Sequence, residues 1–308
     1  MVPASEAHLA IFDAGVVLGA TVTEMTRTFH LRPFRLEDHL ERLFRSLRYT
    51  RMEVDLSPAD FARISGELVE HNRQFLADGE ELGLVNFVTA GEYPTYAGMA
   101  GRPPRLRPTV CCHTFPLPFE LWADKMQHGA RLMIPATRHV PPQCLDPKIK
   151  YRSRLHYYLA DKEAQAADPE ATALLLDLQG NVTETAGANF LLVEKGRLVS
   201  PRPVNILEGV SRATCIELAG RLGIGYEERD LQLYHVVNAD EAILTSTPYC
   251  LMPVTRVGGF PIGAEVPGPV FGRLLDAWSA EVGLDILQQI VQGAAARRRQ
   301  AQGGTGNE

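Results

Sequence analysis

Apolar residues recur along the chain with two different periods. At Leu36, Leu40, Leu43, Phe44 and Leu47 they return every three to four positions, and Phe61, Ile64, Leu68 and Phe75 do so again. A helix of 3.6 residues per turn gathers such positions on one face, so two successive helices are predicted. Before them, residues 19–30 carry Thr, Val, Met and Phe in rough alternation, the period of a strand, and residues 8–14 read as a short strand ending in a turn. Residues 82–89 and 109–113 read as buried strands, joined by a loop rich in Gly, Pro and Tyr. Residues 114–128 hold several prolines and no clear period, which places an interdomain linker there. Further on, the pattern predicts a helix over 155–167, strands over 173–177 and 190–193, a helix over 213–222 stopped by Gly223, a strand over 241–246 and a helix over 270–282. After Gly293 the composition is that of a disordered tail. The expected organisation is a smaller N-terminal α/β domain (1–118), a linker (119–128), a larger C-terminal domain (129–293) and a disordered tail (294–308). The mixture of strands and helices argues an α/β or α+β fold in two units.

Composition narrows the function. The 308 residues suffice for two cores, and 45% hydrophobic with 22% charged residues is ordinary for a soluble protein. A net charge of -6 disfavours nucleic acid as a partner, and the one arginine run, Arg297-Arg298-Arg299, lies in the tail. Cys111, Cys112, Cys144, Cys215 and Cys250 are odd in number and lack metal-ligand spacing, so reduced thiols in the cytoplasm and no metal site are expected. The N-terminus lacks a basic region followed by an apolar run, and no stretch approaches the ~20 apolar residues of a membrane span, so neither a signal peptide nor a membrane partner is expected.

Four segments carry possible chemistry. The first is Lys148-Ile149-Lys150-Tyr151-Arg152-Ser153-Arg154, where a strand end leads into a helix. A lysine held on such an element, partly desolvated and near other cations, is a nucleophilic amine; taken alone, two lysines near a strand end are usually solvated surface charges. The second is Gly180-Asn181-Val182-Thr183-Glu184-Thr185-Ala186-Gly187-Ala188-Asn189, a carboxylate among small residues that would let a flat ligand approach, or simply a tight loop. In Leu207-Glu208-Gly209-Val210-Ser211-Arg212 a glycine turn opens a helix whose free N–H groups favour an anion, with Ser211 as a further donor or as the N-cap. The fourth, Thr245-Ser246-Thr247-Pro248, ends a buried strand in hydroxyl residues.

Each signal is weak alone, but their order and spacing are specific. Lys150-x-x-x-Arg154-Leu155, Glu163-Ala164, Gly180-x-Val-Thr-Glu184 with Ala188-Asn189-Phe190, Leu207-x-Gly-Val-Ser-Arg212, and Ala239-Asp-Glu with Thr245-Ser-Thr ahead of Pro253-Val254 together resemble the class IV aminotransferases. These fold type IV pyridoxal-phosphate enzymes include branched-chain and D-amino-acid aminotransferases, (R)-selective amine transaminases and aminodeoxychorismate lyases. Asp13-Ala-Gly and His39-Leu-Glu-Arg42-Leu also match, and the resemblance covers about residues 12–257. It implies a two-domain fold type IV enzyme with the cofactor site between the domains, the larger domain binding the cofactor. It also implies a homodimer, and an amino donor and a 2-oxo acid as small-molecule substrates. Lys150 would form a Schiff base with pyridoxal 5'-phosphate and shuttle a proton at the substrate's Cα. Glu184 would pair with the pyridine nitrogen, Leu207 would pack on the ring, and Arg154 would lie near its phenolic oxygen. Arg42, Gly209, the backbone of Val210 and Ser211, Ser246 and Thr247 would form the phosphate cup. On its helix Arg42 lies off the apolar stripe, free to face a cleft or solvent.

Departures from the family pattern bear on substrate. Relatives carry an aromatic residue where Thr23 stands in Val22-Thr23-Glu24. The arginine of a Thr-Arg-Gly segment is replaced by Ala90, and a Tyr-x-Arg pair is missing from Val85-Asn86-Phe87. Arg27 or Arg138 could hold a substrate carboxylate instead, or serve in structural salt bridges; Thr23 and Ala186 complete the candidate substrate residues. An aminodeoxychorismate lyase, sharing the lysine, glutamate and phosphate cup, is the alternative activity; a non-catalytic cofactor-binding homologue is the third reading.

Overall fold

In the computed structural model, residues 1–264 and 266–303 are described, and the chain divides into two compact units. Unit 1 comprises Met1–Leu76, Leu82–Phe115 and Ile149–Arg154. Its elements are α1 (Ala14–Val17), β1 (Thr21–Phe29), β2 (Arg32–Pro33), α2 (Leu36–Thr50), α3 (Pro58–Asn72), β3 (Leu82–Thr89), α4 (Pro94–Ala97) and β4 (Thr109–Pro116). The strands form a sheet in the order β2-β1-β3-β4. β1 and β3 are antiparallel, with Thr23 opposite Phe87 and Glu24 opposite Asn86. Side chains alternate across a strand, so Thr23 and Phe87 share one face of the sheet while Glu24 and Asn86 share the other. Both helical patterns read from the sequence are present. α3 opens with Pro58 and a reciprocal capping box between Ser57 and Asp60. The strand expected over 8–14 is absent: Asp13 accepts from Gly15 N at 2.7 Å and caps α1, so local side-chain bonding wins over strand pairing.

Unit 2 holds the remainder. Its elements are α5 (Ala123–His128), β5 (Ala130–Met133), α6 (Leu155–Ala167), β6 (Thr172–Ala173), β7 (Asn189–Glu194), β8 (Arg197–Ser200), α7 (Val210–Arg221), β9 (Tyr226–Glu228), α8 (Leu233–Val237), β10 (Glu241–Ser246), β11 (Cys250–Val257), β12 (Phe260–Pro261), α9 (Pro269–Val282) and α10 (Ile286–Gly303). One sheet runs β6-β5-β11-β10-β7-β8-β9, with β12 added beside β11. α7 and α9 pack against β10. Phe190, Leu191 and Leu192 of β7 and Ile243 of β10 are buried, as are Phe271, Leu274 and Trp278 of α9. Gly268 caps α9 without a side chain, and Glu241 supplies the acceptor, taking the N–H groups of Val270 and Phe271 at 2.8 Å each.

Several expected boundaries move. The break falls between Phe115 and Pro116, and the predicted linker 119–128 is helical and part of unit 2. The strand expected over 173–177 is reduced to β6 and an isolated bridge between Leu176 and Val182. The tail is helical through Gly303, because Ile286, Ile290 and Ala294 bury one face of α10 and Arg297 pairs with Glu80 and Glu120. Residues 304–308, also expected to be disordered, lie outside the described residues. Among the described residues no helix is long and apolar enough to cross a membrane.

Candidate active site

In unit 1 the lysine segment lies extended along β1. Thr23 N donates to Lys150 O at 2.8 Å, Arg152 N donates to Thr21 O at 3.4 Å, and Tyr151 bridges Val22. From α2, Ser46 Oγ accepts the Lys150 N–H at 3.4 Å. The backbone of Lys150 is thus fixed from two elements, and its side chain is half-buried. Lys148 is exposed and its Nζ sits 3.3 Å from Asp146 Oδ1, so of the two lysines Lys150 has the environment a nucleophilic amine needs.

The opposite face of β1, that of Glu24, carries a buried ionic cluster. Arg42 donates from Nε to Glu24 Oε1 at 2.7 Å and from Nη2 to Glu24 Oε2 at 2.8 Å, and His39 Nδ1 lies 2.9 Å from Glu24 Oε2. Glu24 has no exposed surface and Arg42 is 4% exposed. Arg42 therefore does not stand free beside the apolar stripe of α2: the buried face is wider than the leucines and takes in His39, Arg42 and Ser46. Burial pushes the Glu24 carboxyl up, but the charge and hydrogen bonds of Arg42, with those of His39, outweigh it and bring the carboxyl down to about 2. Burial pushes the His39 imidazole below its ordinary range; Glu24 opposes this, while the charges of Arg42 and Lys150 add to it. Lys150, His39 and Arg42 thus belong to one electrostatic neighbourhood.

The remaining unit 1 candidates are placed as follows. Arg154 Nε donates to Tyr151 O at 3.0 Å. Arg27 is 1% exposed, donates to Thr28 O at 3.2 Å and lies 3.9 Å over the Phe29 ring, a structural setting. Thr23 is buried beside Phe87.

In unit 2 the carboxylate of Glu184 is the centre of a hydrogen-bond network. Tyr157 OH donates to Oε1 at 2.9 Å, while Asn189 Nδ2 and Leu207 N donate to Oε2 at 2.8 and 3.0 Å. Behind Tyr157, His139 Nε2 lies 2.8 Å from the phenol oxygen, and Nδ1 lies 3.0 Å from Val140 O. Asn189 Nδ2 also donates to Leu207 O at 2.8 Å, tying the loop before α7 to β7. Sequence reasoning missed His139, Tyr157 and Asn189. Tyr157 stands on the buried stripe of α6 with Ala160 and Ala164, a position where a phenol needs a hydrogen-bond partner, and that was the available signal.

Gly209, not Ser211, is the N-cap of α7, and no side chain caps this helix; Ser211 lies one residue into it and is buried. Ala213 N is the first to bond back, to Gly209 O at 2.9 Å, which leaves the turn of Val210 and Ser211 for an outside acceptor. Arg212 donates to Ser200, Tyr226 and Glu228, a structural lock on the start of α7. A Cβ on Gly209 would stand 2.1 Å from Asn189 Oδ1, so a side chain there would force Asn189 to shift from its bonds to Glu184 and Leu207. Ser246, at the end of β10, donates to Gly187 O at 2.5 Å, and Thr247 follows it half-buried. Ala186 is half-buried against the Tyr157 cluster. Arg138 donates to Pro135 O and Ala136 O at 2.6 and 3.0 Å, again a structural role.

These residues fit pyridoxal phosphate. A carboxylate offers about four acceptor positions, and three are taken at Glu184, leaving one for a protonated ring nitrogen. The uncapped turn of a 12-residue helix suits a phosphate dianion. In unit 1, half-buried Lys150 has the primary amine that the cofactor's aldehyde requires.

Comparison with known proteins agrees in kind. The family model described as Amino-transferase class IV matches residues 21–257. The D-alanine aminotransferase of Bacillus licheniformis is 31% identical over 86% of this chain and 89% of its own length. The crystal structure of the Escherichia coli branched-chain amino acid aminotransferase superposes with a TM-score of 0.81 at 26% identity, covering 92% of this chain and 91% of that one. The T.th. branched-chain amino acid aminotransferase, solved with pyridoxamine 5'-phosphate, gives a TM-score of 0.79 at 26% identity, with 92% of each chain covered.

Proposed function

The chain belongs to the class IV aminotransferase family, and from that footing we propose that Lys150, Glu184 and the N-terminus of α7 are the working parts of a pyridoxal-phosphate transaminase. Such an enzyme moves an amino group between an amino acid and a 2-oxo acid. The bound cofactor supplies an aldehyde for covalent linkage and a ring that takes up the electron pair left when the Cα proton departs. Lys150 would be the residue that holds the cofactor's aldehyde, and its amine would carry the proton to and from the substrate carbon. Glu184 holds a negative charge at the ring nitrogen and keeps its proton in place. The N–H groups of Val210 and Ser211 and the hydroxyl of Thr247 bind the phosphate, with Arg42 as a further cationic contact. Leu207 would hold the ring and Arg154 would bind its phenolic oxygen. The observation that carries this reading is the triply held, buried Glu184 carboxylate: an acidic side chain fixed by Tyr157, Asn189 and Leu207 is positioned for a cationic partner rather than for solvent.

Borohydride reduction of the purified protein followed by peptide mapping tests the assignment, and the label belongs on Lys150; a label on Lys148 overturns it. Given an amino donor alone, the bound cofactor converts to its pyridoxamine form. That spectral change separates transamination from lyase chemistry, and the relatives named above are aminotransferases. We also propose a cytoplasmic homodimer. Exposed Leu155, Tyr158 and Leu159 on one face of α6 support self-association, and five cysteines, none of them in a disulfide, suit a reducing compartment. Light scattering at micromolar concentration tests the dimer.

A further inference from the structure

The arginines that relatives use to hold a substrate carboxylate are replaced at Ala90 and absent from residues 85–87, and Arg27 and Arg138 are spent on structural contacts. Another guanidinium stands on the same sheet face as Thr23 and Phe87. Arg152 lies two residues past Lys150, and its guanidinium carbon is 4.3 Å from the centre of the Phe87 ring. The side chain is exposed. Burial of its stem lowers the guanidinium's pKa, Cys111 opposes this and Arg154 adds to it; among the described residues no carboxylate bears on its charge. His113, whose ring is edge-on to Phe87 at 6.2 Å, is pushed down by burial and then by the charge of Arg152. The patch formed by Phe87, His113 and Arg152 therefore carries a positive charge that no acidic residue of unit 1 neutralises.

We propose that Arg152 is the substrate-carboxylate clamp of this enzyme, held in place by stacking on Phe87. The proposal rests on Lys150 being the cofactor lysine. An arginine laid on an aromatic ring uses its flat face for the ring and presents its N–H donors at the edge, the geometry that grips a carboxylate in two parallel bonds. Position agrees. The segment is extended along β1, so Lys150 and Arg152 project to one side and Tyr151 to the other, at a Cα separation of roughly 6.6 Å from ~3.3 Å per residue. A substrate's α-carboxylate is one bond from the carbon that exchanges its amino group, so its clamp belongs within a side chain's reach of the lysine. The small Thr23 opposite Phe87 leaves room for the substrate where relatives carry an aromatic side chain.

The test uses holoenzyme and two variants, Arg152→Gln and Arg152→Lys. Calorimetric titration with 4-methylvalerate, a carboxylate with no amino group, reads the clamp without turnover. Loss of a charge-assisted pair weakens binding by roughly 10- to 150-fold. The glutamine variant therefore binds 4-methylvalerate at least about 10-fold more weakly, the lysine variant recovers part of the loss, and cofactor content is unchanged. In donor half-reactions the glutamine variant loses kcat/KM for norvaline and for glutamate by a similar factor but keeps its rate with 1-phenylethylamine, which has no carboxylate. Unchanged 4-methylvalerate affinity in Arg152→Gln, or equal losses for the amine and the amino acids, overturns the proposal. Failure of the wild type to form the pyridoxamine form with any donor is a separate result: it removes the transaminase reading, while the calorimetry still decides whether Arg152 binds carboxylate.

Discussion

Glu24→Gln in the cofactor-free protein isolates the buried ionic cluster of unit 1. The glutamine keeps the shape of the side chain and removes the charge that faces Arg42 Nε and Nη2 and His39 Nδ1. The Glu24 carboxyl lies at about 2 rather than its ordinary 4.5, held there by Arg42 and His39 against the cost of burial. At roughly 1.36 kcal/mol per pH unit this gap corresponds to about 3 kcal/mol. The native state binds the proton more weakly than the unfolded chain. The contribution is therefore complete above about pH 4.5 and lost as the pH falls through about 2. At pH 7 the variant also leaves a buried guanidinium without its counter-charge, so a loss on the order of 3–5 kcal/mol is expected. Hydrogen exchange read by mass spectrometry on peptides covering β1 and β3 reports the opening of unit 1 itself, which the tryptophans do not, since Trp122 and Trp278 belong to unit 2. The wild type loses protection between pH 4.5 and 2 beyond the intrinsic rate change, and Glu24→Gln shows lower protection at pH 7 with little further pH dependence. A variant within ~1 kcal/mol of wild type at pH 7, or one that follows the wild-type acid profile, refutes the argument.

Three further outcomes are expected. Glu184→Gln still binds cofactor, while the proton-transfer step slows on the order of 10²-fold in single-turnover kinetics; a wild-type rate would reduce Glu184 to a loop residue. Tyr157→Phe removes the hydroxyl that donates to Glu184 and faces His139, so calorimetry shows unit 2 destabilised by about 1–3 kcal/mol, and an unchanged melting temperature counts against the network. Gly209→Ala places a methyl 2.1 Å from Asn189 Oδ1 and lowers cofactor affinity at least about 10-fold by equilibrium dialysis. Gly220→Ala, on the same helix with nothing within 4 Å, leaves affinity unchanged, and equal effects from the two would mean that the clash is absorbed.

Long elements with a clear period were legible in the sequence. β3, α6 and β10 fall on the residues that alternation or helical spacing marks. Legibility ended where side chains compete with the backbone or where a polar residue faces inward. Asp13 turned an expected strand into a helix cap, and of the two roles open to Ser211, donor or N-cap, the cap went to the glycine before α7. Arg42 looked free because an apolar stripe says nothing about an arginine whose partner, Glu24, is 18 positions away on another element. The same holds for Glu184: its loop was visible as a motif, but Tyr157 lies 27 residues earlier and His139 another 18, so no local window contains the network. Arg152 lies within the lysine segment, but nothing local marks it, since its platform, Phe87, comes from a different strand.

The lysine segment also guards a sheet edge. β2 covers β1 only at Thr28 and Phe29, and at the opposite end the backbone of 150–152 occupies the flank of Thr21 to Thr23. An uncovered strand flank is a template for pairing with another chain. The segment is followed by exposed Ser153 and preceded by the exposed Gln143, Cys144 and Lys148, a stretch open to proteases. A nick there that let the segment peel away would expose an adhesive flank on β1 together with the loss of Lys150. Inactivation by limited proteolysis should then be accompanied by aggregation rather than by a soluble, inert product, and fragments ending before residue 149 should be insoluble when expressed alone.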